Sequence, residues 1–405
     1  MNKLFNSSLL IVFLAIIITN SSCTPKSQKQ NTNSFTVFVD SLQSVYAPDK
    51  RVTLWESSIT IESEKTRFEL IVDKQETYKN IQQAIKSKFP EVEMHIELLP
   101  KENNEQLISG LVNNSVINLR SNPRHSAEIA TQALLGSPLK ILKKEGSWYL
   151  VQTPNKYLAW TDEAAIVEID KLDLKKYKTA KKIVFIDQYG FSYSKPNDKS
   201  QVVTDLVIGS ILPVIDNKRK FYKVEYPDGR IAWVKKNQFI DFEELAYMKI
   251  NEEALIKTAK RFNGVPYLWG GTSSKNLDCS GFTSLVFFMN GTILQRDASQ
   301  QTKYGKEITT NYDYEKLKPG DLLFYGRKAS DSLPERVTHV AIYMGDSQFI
   351  HSSGKVRINS MDSTRNNFLP DYVSIFVRAT RVKGNFDDFG IQKISDNEFY
   401  KEIIN

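Results

Sequence analysis

The sequence predicts an α+β protein built from several small domains, and three observations support this prediction. Short β-rich runs recur in the middle of the chain with a period of 73 residues. In the last third, Asp278 stands before Cys279 and an apolar run of helical character. Two β-like segments follow, and they carry His339 and His351. At 405 residues the chain is also too long for one ordinary core.

Composition excludes some classes of protein. Hydrophobic residues make up 41% and charged residues 25%, as in ordinary soluble globular proteins. The formal net charge is +7, but no run of Lys and Arg concentrates it. Because there is neither a basic stripe interleaved with aromatics nor a zinc-finger spacing, we expect no nucleic-acid partner.

The first 23 residues differ from the rest of the chain. Lys3 precedes an apolar run at 9–18, and small polar residues lead to Cys23. The run is too short to span a bilayer and fits the hydrophobic region of a signal peptide. The segment resembles a bacterial lipoprotein signal, although Asn20 stands where that motif usually has Leu. The resemblance implies lipidation of Cys23 and an exported, membrane-anchored protein in the periplasm or at the cell surface.

A plain signal peptide cut nearby is the alternative. The polar residues 24–34 are then predicted to form a flexible tether. If Cys23 carries lipid, Cys279 is the one other cysteine of the chain, so no disulfide framework is expected.

Residues 35–112 mix strand and helix patterns and predict a small α+β segment of unknown role. A strand is expected at 68–72, an amphipathic helix at 77–89 and another strand at 94–98. We find no chemistry-bearing motif in this segment.

The repeat covers two predicted domains, at 113–170 and 180–245. The triplet at 135–137 (LGS) returns at 208–210 (IGS), and Trp160 returns as Trp233. Each copy holds short β-rich runs punctuated by turn residues, which is the pattern of a small barrel. The spacing of the aromatics resembles the bacterial SH3-like domain, which implies binding or positioning modules. Most of these aromatics are also explained as core residues.

The last predicted domain spans 250–385 and contains the nucleophile candidate. Asp278 can cap a helix that begins near Cys279 and stops at Asn290-Gly291. A thiol at a helix N-terminus has its thiolate favoured by the macrodipole, so we expect a lowered pKa. A buried structural Cys is the alternative, against which Ser280 and Gly281 count as poor core neighbours.

His339 is the natural base for Cys279, and His351 would fix the tautomer of His339 as a third member. Both histidines lie on predicted strands of one hairpin. For them to face the same side, the loop between the strands must contain an odd number of residues. The alternative is a chance pair of strand histidines.

Four motifs carry a family resemblance. They are PYLWGG at 266–271, DCSGF at 278–282, LKPGDL at 317–322 and THVAIY at 338–343. Together they resemble the NlpC family of papain-like cell-wall peptidases, over about residues 250 to 380. The resemblance implies a Cys279–His339–His351 triad, a thioester at the cysteine, and no metal or organic cofactor. It also implies a Cys-bearing helix on an antiparallel sheet, with the oxyanion held by the Cys279 N–H and the Tyr267 hydroxyl.

The tandem SH3-like repeats narrow the resemblance to γ-D-glutamyl-L-diamino-acid endopeptidases of the dipeptidyl-peptidase VI type. Such enzymes act on murein peptides with a free N-terminal L-Ala and release L-Ala-γ-D-Glu. An ammonium ligand requires a carboxylate, and the resemblance implies Asp297, which stands where the family carries this acid. Asp278 and Ser280 are expected to hold the substrate backbone, and Tyr157 of the first barrel to close the pocket. A solvated loop carboxylate is the alternative for Asp297.

Three hypotheses from different classes follow. The first is a peptidase that trims or recycles free murein peptides. The second is an endopeptidase or amidase that acts on intact peptidoglycan. The third is a catalytically silent, wall-binding lipoprotein, and the presence of Cys279, His339 and His351 counts against it.

Overall fold

The structure is a computed structural model that describes five stretches of the chain: residues 26–62, 65–101, 107–308, 314–387 and 389–404. The predicted signal peptide, 1–23 with Cys23, lies outside these described residues. Among them, no helix has the length and apolar character that a bilayer crossing requires. The predicted α+β architecture is confirmed, with strands outnumbering helices.

The N-terminal domain is a small sheet covered by helices. Its elements are α1 (Lys26–Tyr46), β1 (Trp55–Glu62), β2 (Lys65–Val72), α2 (Gln75–Lys88) and β3 (Glu93–Leu98). Strand β2 is central, antiparallel to β1 and parallel to β3, with α2 as the crossover. Phe35 and Val39, four residues apart on α1, pack with Phe68 and Ile81 in the core of this domain.

The prediction of a flexible tether at 24–34 is wrong from Lys26 onward, because α1 begins there. The polar residues of this stretch include Lys and Gln, which are good helix formers, and no Pro or Gly follows Pro25 until residue 48. The packed half of α1, from Phe35, provides a helix that these residues extend. Polar composition alone therefore did not distinguish a tether from the first turns of a helix.

Two seven-stranded barrels follow. The first barrel comprises β4 (Gly110–Val112), β5 (Val116–Arg120), β6 (Ile129–Leu134), β7 (Pro138–Glu145), β8 (Trp148–Gln152), β9 (Leu158–Asp162) and β10 (Ile166–Glu168). Helix α3 (Lys171–Thr179) connects it to the second. The second barrel comprises β11 (Lys182–Phe185), β12 (Tyr189–Tyr193), β13 (Val202–Val207), β14 (Ile211–Lys218), β15 (Phe221–Glu225), β16 (Ile231–Lys235) and β17 (Phe239–Asp241).

The strand order is the same in both barrels, β10-β4-β7-β8-β9-β5-β6 and β17-β11-β14-β15-β16-β12-β13. Strands β14, β15 and β16 begin 73 residues after β7, β8 and β9, which is the period of the sequence repeat. Gly136 and Gly209 occupy equivalent turns at φ +76° and +90°, a backbone conformation that glycine tolerates. The repeated triplets therefore mark one turn that both barrels need.

The first barrel begins at Gly110, so its predicted start at 113 is three residues late. Strand β4 pairs with β7 on one side and with β10 on the other. This strand was not predicted, because three residues are too few to show an alternating pattern.

The last domain places a helical layer against an antiparallel sheet. Its elements are α4 (Phe242–Ala246), α5 (Glu252–Arg261), β18 (Thr272–Ser273), β19 (Asn276–Leu277), α6 (Cys279–Phe288), β20 (Thr292–Leu294), α7 (Ala298–Gln301), β21 (Lys306–Ile308), β22 (Leu322–Arg327), β23 (Arg336–Gly345), β24 (Gln348–Ser353), β25 (Lys355–Ser360), α8 (Pro370–Ser374), β26 (Phe376–Arg381), β27 (Ile391–Lys393) and α9 (Glu398–Lys401). The six-stranded sheet has the order β21-β26-β22-β23-β24-β25. Phe282 and Val286 of α6 pack on this sheet with Val340 and Ile350.

This domain continues past its predicted end at 385. Strand β27 pairs with β20, and Phe399 and Tyr400 of α9 are buried in a cluster that also contains Leu111 of the first barrel. Leu134 and Ile208, one from each barrel, lie in the main core cluster of the last domain. The barrels and the last domain therefore share apolar cores, which fixes the barrels beside the site.

Candidate active site

Cys279 is the first residue of α6, and Asp278 is its N-cap. The Asp278 side chain accepts a hydrogen bond from the Gly281 N–H at 2.7 Å, as capping requires. The Cys279 side chain is buried, and backbone N–H groups of Val340 and Ser280 point at its sulfur. Because Val340 follows His339 on β23, the sulfur lies beside the strand that carries the predicted base.

The expected lowering of the thiol pKa is wrong for this structure. Burial raises the pKa of Cys279 to about 12, and the negative charge of Asp278 raises it further. The two backbone N–H groups and Arg296 act in the opposite direction but do not compensate. The helix N-terminus is present as predicted, but removal of the thiol from water outweighs it.

The two histidines lie on neighbouring strands, His339 on β23 and His351 on β24. The turn between these strands contains two residues, Asp346 and Ser347, both with positive φ. That number is even, so the turn alone would place the histidines on opposite faces. A β-bulge between Tyr343 and Gly345 adds one residue and restores the parity that the sequence argument required.

The histidines are joined by a hydrogen bond, with His339 Nε2 2.8 Å from His351 Nδ1. His351 Nε2 lies 3.1 Å from Oδ1 of Asn359, an oxygen that can only accept. A neutral His351 therefore carries its proton on Nε2 and accepts from His339 through Nδ1. His339 then has its proton on Nε2, which leaves its Nδ1 lone pair free to take the thiol proton.

Asn359 on β25 was not predicted. It also donates to the carbonyl of Asn367 at 3.1 Å, which fixes its amide and hence the tautomer of His351. A single Asn on a strand has no local signal in the sequence. The register, which pairs Ile350 with Ile358, brings β25 beside the strand of His351.

Both histidines are held in their neutral form. Burial lowers the pKa of His339 to about 3, with smaller contributions from His351 and Arg357. Burial likewise lowers the pKa of His351 to about 4, although the hydrogen bond that His351 donates to Asn359 raises it. Neutral imidazole is the form that a general base requires.

Asp278 and Ser280, which we expected to hold substrate backbone, are engaged within the protein. The two Asp278 oxygens accept from the N–H groups of Gly281 and Gly270, from two nitrogens of Arg296, and from the Ser280 hydroxyl. Five donors leave this carboxylate no lone pair for a substrate. The structure gives Asp278 the role of positioning α6, and Ser280 accepts from Arg296 at 3.0 Å.

Arg296 was not predicted as a site residue, but it is central to the site. Its side chain is 2% exposed and forms a buried ion pair with Asp278. Its Nε also donates to the Thr131 hydroxyl of β6 at 2.7 Å. One guanidinium therefore joins the start of the cysteine helix to the first barrel.

Tyr267 lies in the loop at 266–271, and its N–H donates to the Gly354 carbonyl at 3.0 Å. Burial raises its pKa, and the charges of Cys279 and Asp278 raise it further. The hydroxyl therefore stays protonated near the sulfur and can donate, as the oxyanion role predicted for it requires.

Asp297 and Tyr157 meet at the far end of this region. The Tyr157 hydroxyl donates to Asp297 Oδ2 at 3.2 Å, although the residues are 140 positions apart. Arg51 of the N-terminal domain also reaches the same oxygen, at 2.8 Å. The predicted pair of pocket residues is thus in contact, and a third group, which the sequence analysis did not identify, joins it.

The arrangement has the parts of a thiol hydrolase: a nucleophile at a helix N-terminus, a neutral base with a fixed tautomer, and donors around the sulfur. Among the residues that the structure describes, no cluster of three or more His, Cys, Asp or Glu side chains is placed to hold a metal ion. The absence of a cofactor stays a prediction.

Comparisons with known proteins define the class. Residues 264–376 match the NlpC/P60 family, and residues 115–166 match the bacterial SH3 domain. The matched regions contain the Cys279–His339–His351 set and the greater part of the first barrel. Both matches agree with the fold and with the arrangement of this site.

Relatives agree with this class. The chain is 31% identical to a gamma-D-glutamyl-L-lysine dipeptidyl-peptidase of Bacillus cereus, over 56% of this chain and 67% of the relative. It is 28% identical to dipeptidyl-peptidase 6 of Lysinibacillus sphaericus, over 60% and 89%. A crystal structure of an NlpC/P60 family protein from Bacillus cereus has a TM-score of 0.58 and 25% identity, covering 67% of this chain and 99% of that one. The chain belongs to the NlpC/P60 family.

Proposed function

We propose that this peptidase hydrolyses the bond between γ-D-Glu and the diamino acid of murein peptides whose N-terminal L-Ala is free. The products are L-Ala-γ-D-Glu and a peptide that begins with the diamino acid. The observation that carries the proposal is the Asp297–Tyr157 contact, which puts a carboxylate and a hydroxyl from two domains at one end of the site. Relatives named for this dipeptidyl-peptidase activity add support.

The reaction follows from the tautomers of the site. His339 Nδ1 takes the Cys279 proton as the sulfur attacks the γ-carbonyl carbon of D-Glu. The oxyanion receives hydrogen bonds from the Cys279 N–H, one of the amides that a helix start leaves free, and from the Tyr267 hydroxyl. His339 then returns the proton to the amine of the diamino acid as the C–N bond breaks. Water, deprotonated by the same nitrogen, hydrolyses the thioester and restores the thiol.

A carboxylate at the amine end explains why a free N-terminus matters. A free L-Ala presents an ammonium that Asp297 can bind by a charge-assisted hydrogen bond. Muramic acid on the same nitrogen removes this charge and adds bulk where Tyr157 and the first barrel stand. The proposal therefore assigns the protein to the trimming or recycling of freed wall peptides rather than to cutting intact peptidoglycan.

Mass spectrometry of the purified enzyme with two substrates tests the proposal. One substrate is the free tripeptide L-Ala-γ-D-Glu-diaminopimelate, and the other carries muramic acid on its L-Ala. We expect L-Ala-γ-D-Glu from the free peptide alone, and none with Cys279→Ala as the control. Cleavage of both substrates would make the protein a general wall endopeptidase, and release of the whole peptide from muramic acid would make it an amidase.

We also propose that the protein is exported and anchored to a membrane through a lipid on Cys23, on the basis of its lipoprotein-like signal. Metabolic labelling with radioactive palmitate should label the wild type and not Cys23→Ser, and the variant should move to the soluble fraction. Unlabelled wild-type protein would instead favour a plain signal peptide.

A further inference from the structure

The N-terminal domain contacts the amine end of the site through the segment between α1 and β1. Leu54 of this segment packs with Trp148 and Trp160 of the first barrel. The carbonyl of Arg51 accepts from the N–H of Leu158 at 2.7 Å, one residue after Tyr157. The segment is thus fixed against the same barrel loop that meets Asp297.

Arg51 is held by two carboxylates. Its Nε and Nη2 bind Asp49 in a bidentate pair, at 2.8 and 2.7 Å. Its Nη1 donates to Asp297 Oδ2 at 2.8 Å and lies 3.0 Å from the Ser299 hydroxyl. Gln300 adds a hydrogen bond to Asp49 at 2.9 Å, which ties the N-terminal segment to α7. All three guanidinium nitrogens are therefore engaged.

The cluster of Arg51, Asp49 and Asp297 has a net negative charge, which can attract a cation. Arg51 carries one positive charge between Asp49 and Asp297, so the three groups together keep one negative charge. Burial raises the pKa of Asp49, but hydrogen bonds from Arg51 and Gln300 outweigh it and lower that pKa below its ordinary value. The Asp297 side chain stays 28% exposed, so a ligand can reach it.

We propose that Arg51 is a positioning residue that holds Asp297 ready for the substrate ammonium, so that the N-terminal domain completes the substrate pocket. This inference rests on the proposed function. It assigns residues 35–112 a part in substrate selection, where the sequence indicated no role. The groups that face Asp297 are then Arg51 and, behind it, Asp49, together with Tyr157 and the guanidinium of Arg296.

The effect of removing Arg51 follows from the two acids it joins. Without the guanidinium, Asp49 and Asp297 are like charges within the reach of one side chain, and their repulsion turns them apart. Asp297 then rotates toward water, which weakens it as an acceptor for ammonium. A rigid hydrogen-bonded acceptor would be replaced by a mobile one.

Steady-state kinetics with the free tripeptide test this inference. For Arg51→Ala we expect KM to rise about tenfold with kcat little changed, because binding and not chemistry is affected. Arg51→Lys should recover part of the loss, and the double variant Asp49→Asn with Arg51→Gln should do so as well, because it removes the repulsion.

Arg67→Ala is the matched control, since it removes a guanidinium of the same domain from an exposed pair with Glu93. It should leave KM unchanged, and thermal unfolding should show that all variants are folded. An unchanged or lowered KM in Arg51→Ala would overturn the inference alone, and a lowered value would mean that Arg51 competes with the ammonium. Failure of the wild type to cleave the free tripeptide would overturn the proposed function and this inference together.

Discussion

The two barrels have the same strand order, yet their equivalent loops contribute different side chains to their surroundings. In the first barrel the loop between β8 and β9 closes with hydrogen bonds from Thr153 to Tyr157 and from Lys156 to Thr153. In the second barrel, 73 residues later, Tyr226 and Gly229 close the loop with the same pair of bonds. Lys156 and Gly229 both have positive φ.

The two loops differ in the side chain of the residue that follows Lys156 or Gly229. Tyr157 points its hydroxyl at Asp297, whereas Arg230 at the equivalent position pairs with Asp228 of its own loop. The same loop conformation therefore contacts Asp297 in the first barrel, and in the second barrel it bonds to Asn113 of the first. The fold of a barrel therefore supplies the position, and the residue at that position decides what the loop contacts.

The largest expected difference concerns the ion pairs that attach each barrel to the last domain. Arg296 forms a buried ion pair with Asp278 and also donates a hydrogen bond to β6 of the first barrel. Lys275 forms a half-exposed ion pair with Asp205 on β13 of the second barrel. Arg296→Met leaves a buried carboxylate without its partner and should lower the free energy of unfolding by about 3–5 kcal/mol.

Lys275→Met should cost less than about 1 kcal/mol, because its pair is screened by water. Urea denaturation followed by circular dichroism measures both variants. Equal losses would show that the two attachments do not differ as the burial of their ion pairs indicates.

Low pH should lower the free energy of unfolding through another region, the pair of buried histidines on the sheet. The folded-state pKa values of His339 and His351, about 3 and about 4, lie below the ordinary value of 6.5. Between the folded-state values and 6.5, the unfolded state therefore binds more protons than the folded state. The free energy of unfolding falls as the pH drops below about 6.5. At pH 5 the loss is about 2 kcal/mol for each histidine.

Urea denaturation at pH 7 and pH 5 checks this. His351→Gln should remove about half of the difference, and His125→Gln, which removes an exposed histidine of the first barrel, should keep the wild-type dependence. If His351→Gln behaves like the wild type, the buried histidines are not the source of acid sensitivity.

The comparison of the two loops predicts a smaller effect on binding. Tyr157→Phe removes one hydroxyl that donates to the Asp297 carboxylate, so KM for the free tripeptide should rise about tenfold with kcat unchanged. Arg230→Gln changes the equivalent position of the second barrel and should leave both constants alone. Similar kinetics for the two variants would show that the loop of the first barrel contributes no more to substrate binding than the loop of the second.

The smallest effect concerns Trp269 in the loop at 266–271. Its indole N–H donates to Glu128, which precedes β6, and Trp269 is 63% exposed. Glu128→Ala should change the free energy of unfolding by less than about 1 kcal/mol while altering tryptophan fluorescence, because an exposed hydrogen bond exchanges readily with water. Gln201→Ala, at the equivalent position of the second barrel, should leave the fluorescence unchanged.

Local sequence signals predicted the surroundings of Cys279 better than those of Asp297. Asp278 and Cys279 are adjacent in sequence, and a cap followed by an apolar run identifies a helix start whatever packs around it. The bulge that sets the parity of His339 and His351 has no comparable signal. Arg51 lies 246 positions from Asp297, so only the packing of the N-terminal domain on the first barrel brings them together.

The pKa of Cys279 shows a second limit. The sequence revealed the helix N-terminus that favours the thiolate, but it could not reveal how deeply Val340 and the sheet would bury the sulfur. Burial depends on the whole fold, and here it outweighs the local effect. Acid and base behaviour was therefore the part of the chemistry that residue patterns predicted least well.

In the proposed function, Asp297 recognises the free ammonium of the substrate. The direct test is the ratio of kcat/KM for the free tripeptide to that for its N-acetylated form, in the wild type and in Asp297→Asn. We predict a ratio of about a hundred or more in the wild type, and a ratio near one in the variant through loss on the free peptide. An unchanged ratio in Asp297→Asn, or equal losses on both peptides, would contradict the account.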